Sequence, residues 1–589
     1  MSCDKLVYDL SQEVEGSPNV FIRKDWINIL DNQNQNYQNN QSIIDTSQIA
    51  NSNKYIGYRE GYLAVPLLLS MSVSSNAQAG TLYLNDYSIG LKNWFGSIIH
   101  SMTLDYNGTT IVQQTPFCNM WNVFKLLTSL SWADVKTQGS SIGFYPDTAG
   151  AWQYFTASSG MGSSVCNNVC GRIESASTFV VANNYNQYSA STNLGGNLGS
   201  TYRTKWIAYD YNAGISLSSG VASQSYGNYG VSNNVMTQIW KSNISTNVPM
   251  TTTTKAIMQV SVMATIYLKH IHSFFNMCPL LKGVFMKLTL NLNNSQASVA
   301  YTAGAGANPL YTASSVTSTS YVGGVVPILI PDVQTGNSWL TSASTNTPST
   351  TGTIYYDLMV GSQSYNTNIT SVTGYSAGNV AKSVYLYVPA YTFNPTFEQA
   401  YLSNNVKQIK YTDIYQYQVL NIGSGVNFNN LITNGIANIK SVLIIPFYSN
   451  NYAGTAYQEF QSPLDPAGCG TTAPMVTLGN FNVQISGQNA IYNTQRYTFE
   501  EWNNQLYGQN AVNGGLTDGL TSGLIDFMDF QNSCCYYYVN VERMLPVEQS
   551  VPKSVQILGT NYSTQSINLW VFIEYGVSVG IDVLTGARV

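Results

Sequence analysis

LDYNGTTIVQQTPFCNMW, residues Leu104 to Trp121, decides the fold class of this chain. Apolar and polar residues alternate up to Asn107-Gly108, alternate again after it, and then give way to a helical pattern. Asn-Gly between two alternating runs is the strongest short-range signal for a β-hairpin. The segment therefore predicts a hairpin followed by a Trp-bearing helix.

The same pattern recurs in the second half of the chain, in FNVQISGQNAIYNTQRYTFEEW, residues Phe481 to Trp502. Identity between the two segments is low, so the repeat is one of pattern. Around each copy we expect the same order of long strands, hairpin, helix, insert and closing strands. Runs of strands with few helices favour sandwiches or barrels, and two eight-stranded jelly rolls fit 589 residues.

The helix after the first hairpin should be amphipathic. Trp121, Phe124, Leu127 and Leu130 recur at three-residue spacing, which places them on one face of a helix. We expect that face to pack on a sheet. The long apolar strand upstream, REGYLAVPLLLSMSVSS, carries Pro66, for which a bulge or an edge position is expected.

The composition favours an all-β protein that lies against copies of itself. Charged residues make up only 9% of the chain and aromatic residues 12%, with 43 Tyr, whereas about 25% charge is usual. Tyr is enriched and Lys and Glu are depleted at protein interfaces. A secreted or glycosylated β-protein would have a similar composition, and composition alone does not separate the two.

The charge and the sequence ends exclude several classes. A net charge of −5 gives no electrostatic footprint for nucleic acid. The N-terminal sequence lacks the pattern of a signal peptide, and the longest apolar run is too short for a bilayer. Eight Cys are too few for a disulfide framework, so a reducing compartment is expected. The sequons at Asn107, Asn243, Asn368 and Asn561 are then chance occurrences.

These signals divide the chain into four parts. Residues 1–54 are expected to form an N-terminal arm, and residues 55–300 a first jelly roll with an insert at about 148–250. Residues 301–380 are expected to be an insert or connection, and residues 381–589 the second jelly roll. Both inserts are nearly uncharged but contain Tyr, Val and Ile, which favours ordered structure.

Few residues could carry chemistry. His270, His272 and Cys278 could bind a metal ion, but packing at a strand-to-helix junction explains them better. Cys166 and Cys170 have the spacing of half a zinc site without a second pair, which favours a disulfide or two free thiols. Cys534-Cys535 point to opposite sides of a strand.

The carboxylates are equally well explained by structure. Glu500-Glu501 follow Thr498 at the start of a helix, where acidic residues favour the helix dipole. Asp526 and Asp529 could flank a sugar, but a helix or turn accounts for them. We therefore expect no catalytic, cofactor-binding or metal-binding residue.

Several segments together resemble one protein family. NWFGSIIHSMTLDYNGTTIVQQTPFCNMWNVFKLLTSLSWADVKTQGSSIGFYPD resembles the first jelly roll of the major capsid proteins of polinton-like viruses and virophages. FFNMCPLLKGVFMKLTLNLN is similar to the closing part of that roll. LGNFNVQISGQNAIYNTQRYTFEEWNNQLYG and YYYVNVERMLPVEQSVPKSVQILGTNYSTQSINLWVFIEY resemble the second roll. The order of these segments carries the resemblance, because no single motif is diagnostic.

The resemblance implies a function in assembly. It implies a double jelly-roll major capsid protein whose three copies form a pseudo-hexagonal capsomer of an icosahedral shell around a DNA genome. Its partners would be itself, the penton and other minor capsid proteins, without sequence-specific binding of nucleic acid. The protein would reside in the virion after assembly in the host cytoplasm or nucleus, with the arm on the inner side. The alternatives are a β-rich carbohydrate-binding protein or adhesin and, less well supported, a glycoside-type enzyme.

Overall fold

The computed structural model describes a defined set of residues. These are residues 19–50, 52–73, 90–91, 94–113, 115–144, 164–165, 173–174, 223–227, 236–242, 256–282, 285–302, 310–322, 327–329, 338–341, 352–371, 383–449, 476–491, 497–510, 523–525, 527, 530, 536–542, 551–563, 566–583 and 587–589.

Strands dominate the described chain. The first thirteen are β1 Phe21–Leu30, β2 Gln41–Asp45, β3 Tyr55–Ile56, β4 Tyr62–Val73, β5 Gly90–Leu91, β6 Ile99–Tyr106, β7 Thr109–Val112, β8 Ser164–Val165, β9 Ile173–Glu174, β10 Ser223–Gly227, β11 Met236–Ser242, β12 Ala256–Tyr267 and β13 Met286–Leu292. The others are β14 Ser295–Thr302, β15 Leu310–Ser320, β16 Ile328–Leu329, β17 Ser338–Thr341, β18 Gly352–Val360, β19 Tyr385–Phe393, β20 Val406–Ile422, β21 Asn427–Ile436, β22 Ile439–Tyr448, β23 Leu478–Ile485, β24 Gln488–Asn489, β25 Tyr537–Asn540, β26 Lys553–Asn561 and β27 Ile567–Asp582.

The helices are short. They are α1 Ser47–Ala50, α2 Cys118–Ser129, α3 Trp132–Asp134, α4 Ser140–Ile142, α5 Leu268–Ile271, α6 Ser273–Met277, α7 Thr367–Thr370, α8 Pro395–Leu402 and α9 Phe499–Asn510. Among the described residues, no helix is both long enough and apolar enough to cross a membrane.

The second sandwich consists of the last eight strands. One antiparallel sheet has the order β20-β27-β22-β25, and the other has the order β21-β26-β23-β24. Counted along the chain, this is 1-8-3-6 facing 2-7-4-5, which is the strand order of a jelly roll.

The first sandwich repeats this order. Its sheets are β1-β19-β4-β12 and β2-β13-β6-β7. Counted among these eight strands, the order is again 1-8-3-6 facing 2-7-4-5. The prediction of an all-β fold with two eight-stranded jelly rolls is therefore confirmed, and the fold is present twice in the chain.

Both predicted hairpin–helix units occupy the same position in their rolls. β6 and β7 are joined at Asn107-Gly108, with φ angles of 45° and 77°, and β23 and β24 at Ser486-Gly487, with 50° and 83°. Two consecutive positive φ values define the turn whose twist matches a β-hairpin. In each roll a twelve-residue helix, α2 or α9, follows the hairpin.

The strand pairing places the domain boundaries differently from the expected ones. β1 and β2 lie within the expected arm, residues 1–54, but pair with β19 and β13 as strands of the first roll. β19 lies within residues 381–589, yet it is the closing strand of the first roll. The reason is long-range pairing: strand β1 finds its partner only after both inserts.

The insert before β19 extends the first roll's sheet. β18 pairs with Leu67–Val73 of β4, while β19 pairs with Tyr62–Ala64 of the same strand. β14, β15 and β17 continue the sheet beyond β18. Pro66 lies where the neighbour of β4 changes from β19 to β18, and its carbonyl accepts a hydrogen bond from Gly361 N. Pro66 occupies neither a bulge nor a sheet edge, because its missing N–H lies where the neighbouring strand changes from β19 to β18.

The long connections of the first roll leave from one end. Consecutive strands run in opposite directions, so the connections after β1, β4, β7 and β13 share an end, and the Asn107-Gly108 turn lies at the other. Hydrogen bonds support both groupings. Leu292 N donates to Asn40 O at the first end, and Asn107 N donates to Phe285 O at the second.

Candidate assembly surface between the two rolls

Helix α2 of the first roll is buried on nearly every side. From Cys118 to Thr128 only Lys125 is more than slightly exposed. The sequence provides for this, because apolar residues stand on all faces and the polar ones bond within the structure. Asn119 Nδ2 donates to Ser97 O over 3.3 Å, and Thr128 Oγ1 donates to Phe124 O over 2.8 Å. Buried polar groups in proteins usually have such hydrogen-bond partners.

The surface that covers α2 belongs to the second roll. The sheet β20-β27-β22-β25 is apolar on both faces. Leu569, Val571 and Ile573 of β27 enter the core of the second roll. Trp570 and Phe572 of the same strand join the cluster formed by the first roll. The run LWVFI, residues 569–573, is continuously apolar because its strand is buried on both faces there.

Aromatic rings make most of this contact. Phe124 of α2 stacks on Tyr538 with 5.5 Å between ring centroids, and it meets Tyr536 edge to face at 5.3 Å. Trp121 lies 6.4 Å from Phe572. Such pairs contribute about 0.5–1.5 kcal/mol each beyond the buried area. The two rolls therefore share one continuous apolar core.

Polar contacts line the rim of the same contact. Tyr411 Oη donates to Ile111 O over 2.5 Å, and Thr115 Oγ1 donates to Ile414 O over 3.0 Å. Lys125 Nζ lies 3.4 Å from Oε1 of the buried Glu574. These bonds fix the register of one roll on the other.

The three histidines of the chain lie close to this contact. His100 is 8% exposed and packs edge to face on Phe117, with 4.9 Å between centroids. Burial lowers the pKa of His100, and of His270, to about 4. His272 accepts a hydrogen bond at Nδ1 from Phe274 N, and its Nε2 lies 3.4 Å from Oδ1 of Asp413 in the second roll.

Among the described residues, nothing comparable covers the outer part of the corresponding sheet face of the first roll. On β1-β19-β4-β12, Trp26 is 52% exposed, and Tyr62 and Tyr387 are partly exposed. Tyr62 stacks on Tyr387 with 5.1 Å between centroids, and Trp26 lies 5.8 Å from Tyr62. Lys24 Nζ lies 5.5 Å above the Trp26 ring. We name Trp26, Tyr62, Tyr267, Tyr385 and Tyr387 the aromatic face.

Described residues cover one side of helix α9, the counterpart of α2. Trp502 and Leu506 are fully buried, and Trp502 stacks on Tyr536 at 6.0 Å. Glu500 and Asn504 are exposed. The outer sheet face of the second roll is thus covered by α2, whereas the aromatic face of the first roll is exposed among the described residues. In the same way, α2 is covered on nearly every side, and described residues cover α9 on one side.

The structure does not bring the candidate metal ligands together. His270 lies in α5, His272 precedes α6, and Cys278 is buried after α6 with its Sγ on Pro279 O at 3.5 Å. Within the described chain, no three His, Cys, Asp or Glu residues form a group that could hold a metal ion.

The remaining candidates lie at a helix start or outside the described residues. Glu500 and Glu501 stand in the first turn of α9. A backbone hydrogen bond and Thr498 lower the pKa of Glu500. Outside the described residues lie Cys166, Cys170, Asp526, Asp529, Cys534 and Cys535.

Comparisons with known proteins give matches in structure only. No protein-family model matches the chain, and no curated protein matches it. A chain of the Sputnik virophage structure is 10% identical, with a TM-score of 0.46 over 98% of this chain and 90% of that one. The mavirus major capsid protein is 9% identical, with a TM-score of 0.45 over 99% and 92%.

A third similar structure is the Faustovirus major capsid protein, 9% identical with a TM-score of 0.42 over 98% of this chain and 94% of that one. The identification of the fold comes from the strand order in both sandwiches of this chain. By that order the chain is an all-β double jelly-roll protein.

Proposed function

We propose that the chain is a major capsid protein whose three copies form a pseudo-hexagonal capsomer. One observation carries the proposal: within the chain, α2 of one roll covers the outer sheet face of the other roll. The contact joins two different surfaces of two similar units, so it is heterologous. Heterologous contacts generate rings when the rotation closes.

Repetition of this contact between chains would use the surfaces that the described residues leave open. The half-covered α9 side of the second roll would meet the aromatic face of another copy's first roll. Three chains supply six rolls, so the contact within the chain and the contact between chains would alternate around a closed ring. Aromatic residues with few charges are typical of the core of such an interface.

The direction of the inserts supports an upright arrangement of the rolls. The connections after β4, β7 and β13 leave from the same end of the first roll, opposite the Asn107-Gly108 turn. In this proposal they form towers on the virion exterior and contact their neighbours in the trimer. The opposite end faces the interior, together with the residues that precede β1.

The proposal assigns the protein to assembly alone. Its partners are its own copies, then the penton and other minor capsid proteins, and its place is the virion shell. No catalytic, cofactor or metal role is assigned to any residue.

The alternative is a carbohydrate-binding protein, for which the exposed Trp26 and Tyr62 are the favouring observation, since aromatic rings pack well on sugar rings. The capsid function requires a trimer, whereas glycan binding does not. Mass photometry of the full chain should give about three times 64.5 kDa for the capsid protein. A monomer that binds glycans would contradict the capsid proposal.

A matched pair of variants tests the surface itself. Trp26→Asp places a charge in the aromatic face and should convert trimers into folded monomers. Leu431→Asp alters a residue of similar exposure, 54%, on the sheet β21-β26-β23-β24 of the second roll. This variant should leave the trimer intact. Trimers that survive Trp26→Asp would show that the aromatic face is not the interface.

A further inference from the structure

A buried carboxyl group lies where the insert sheet joins the first roll. Asp357 is 0% exposed and stands on β18 directly opposite Ser70 of β4. Residues opposite each other in an antiparallel ladder share a face of the sheet. Among the described residues, Asp357 Oδ1 and Ser70 Oγ have no hydrogen-bond partner.

A short segment closes over this carboxyl. We name residues 361–371 the strap. Ser364 Oγ donates to Asp357 Oδ2, and the same hydroxyl accepts from Asn366 N over 3.1 Å. Ser72 Oγ donates to Asn368 O over 3.0 Å. Ile369 in the middle of the strap is fully buried.

The groups around Asp357 carry no opposite charge in the described part of the chain. Ser70 and Ser72 face it from β4, Gln296 stands opposite it on β14, and Ser364 comes from the strap. The one further titratable group that interacts with it is the Tyr321 hydroxyl. Burial raises the pKa of Asp357 to about 7, although the Ser364 hydrogen bond lowers it in part.

We propose that Asp357 is a pH-sensitive latch that holds the strap on the sheet when its carboxyl is protonated and weakens that hold when it ionises. A protonated carboxyl can donate a hydrogen bond to Ser70 Oγ and satisfy both orphaned oxygens. An ionised carboxyl leaves a buried charge without a cation, and opening of the strap returns that charge to water. This inference does not depend on the proposed capsid function.

The pH dependence of strap closing follows from the pKa of Asp357 in the open and closed states of the strap. In the open state the carboxyl has its ordinary pKa of 3.8, and in the closed state about 7. The closed state therefore holds one more proton between these values. The equilibrium constant for closing the strap is largest below pH 3.8. It falls by up to tenfold per pH unit up to about pH 7 and stays constant above that.

Hydrogen exchange of the strap peptide in the full chain tests the latch. After correction for intrinsic exchange, its protection should fall by roughly ten- to a hundredfold from pH 5 to pH 7 and then level off. Asp357→Asn, which keeps the shape but cannot ionise, should remove this dependence. Asp105→Asn, a partly exposed carboxylate on β6, should retain it.

A second variant keeps the proposal testable if Asp357→Asn does not fold. Ser364→Ala removes the hydrogen bond that lowers the pKa of Asp357. The pH above which protection of the strap stays constant, its levelling point, should therefore be higher in this variant. Protection of the strap that is independent of pH in the wild type, or a levelling point unchanged in Ser364→Ala, would overturn the latch.

Discussion

Phe124 of the first roll stacks on Tyr538 of the second, with their ring planes 28° apart and their centroids 5.5 Å apart. Phe124 is completely buried, as is Tyr538. This pair lies in the contact through which the two jelly rolls share one apolar core. The chain therefore depends on α2 both for the first roll and for its attachment to the second.

A carboxylate in α2 should abolish soluble protein. Leu126 and Leu127 are 3% and 4% exposed, and an unpaired buried charge costs several kcal/mol, comparable with total stability. We expect Leu126→Asp and Leu127→Asp to be insoluble, whereas Ser129→Asp at the exposed end of α2 should change the stability by about 1 kcal/mol at most. Wild-type melting temperatures for both leucine variants would disprove the role of α2.

Exchange of the two turn residues should change stability in opposite directions. Asn tolerates positive φ better than Ser, and Asn-Gly is the preferred pair for this turn. Ser486→Asn should raise the free energy of unfolding by about 0.5 kcal/mol, and Asn107→Ser should lower it by a similar amount. Urea denaturation of both variants measures this, and a change of the same sign in both would refute it.

Acid should weaken the contact between the rolls through His100. Its pKa is about 4 in the folded chain, against 6.5 for the free side chain. The unfolded chain binds the proton more readily, so the contribution of His100 is complete above pH 6.5 and declines as the pH falls towards 4. The slope is about 1.4 kcal/mol per pH unit. His100→Gln should show a shallower decline, and parallel stability curves would exclude His100 as the cause.

Salt should have little effect on the trimer. Among the described residues, two cations contact the aromatic face, Lys24 over Trp26 and Lys269 over Tyr267, and Lys24 is already paired with Glu60. Screening weakens exposed charges but not apolar contacts. Mass photometry between low and high NaCl should give the same trimer fraction, and dissociation at modest NaCl would point to an ionic interface instead.

Protease treatment of assembled particles should cut the inserts and spare the inner end. The connections after β4, β7 and β13 are expected on the exterior, and the residues before Phe21 in the interior. Mass spectrometry of the fragments locates the cuts. Cuts only before Phe21, with all three connections protected, would reverse the proposed orientation.

Local signals predicted the hairpins and helices because their geometry depends on neighbouring residues. Asn107-Gly108 fixes its own turn, and Trp121 and Phe124 show the spacing of their helix. The place of β1 in the first roll was missed because most of its residues are exposed, so little apolar surface marks it as part of a core. Its partner, β19, is also far away in the chain.

The aromatic face was equally hidden from the sequence. Trp26, Tyr62 and Tyr387 come from three distant segments, and only the sheet brings their rings together. The contact between rolls left a visible trace, the unbroken apolar run around Trp570. Such a run is typical of a strand buried on both faces, but it does not show what lies against the strand.

The pairing of Phe21 with Phe393 determines the order of events during synthesis. The first roll cannot close until the ribosome has made β19, so its earliest strand waits for both inserts, on the order of tens of seconds. The second roll starts 13 residues after Phe393, at Val406. The nascent chain must therefore keep its first roll open and protected from other chains for most of its translation.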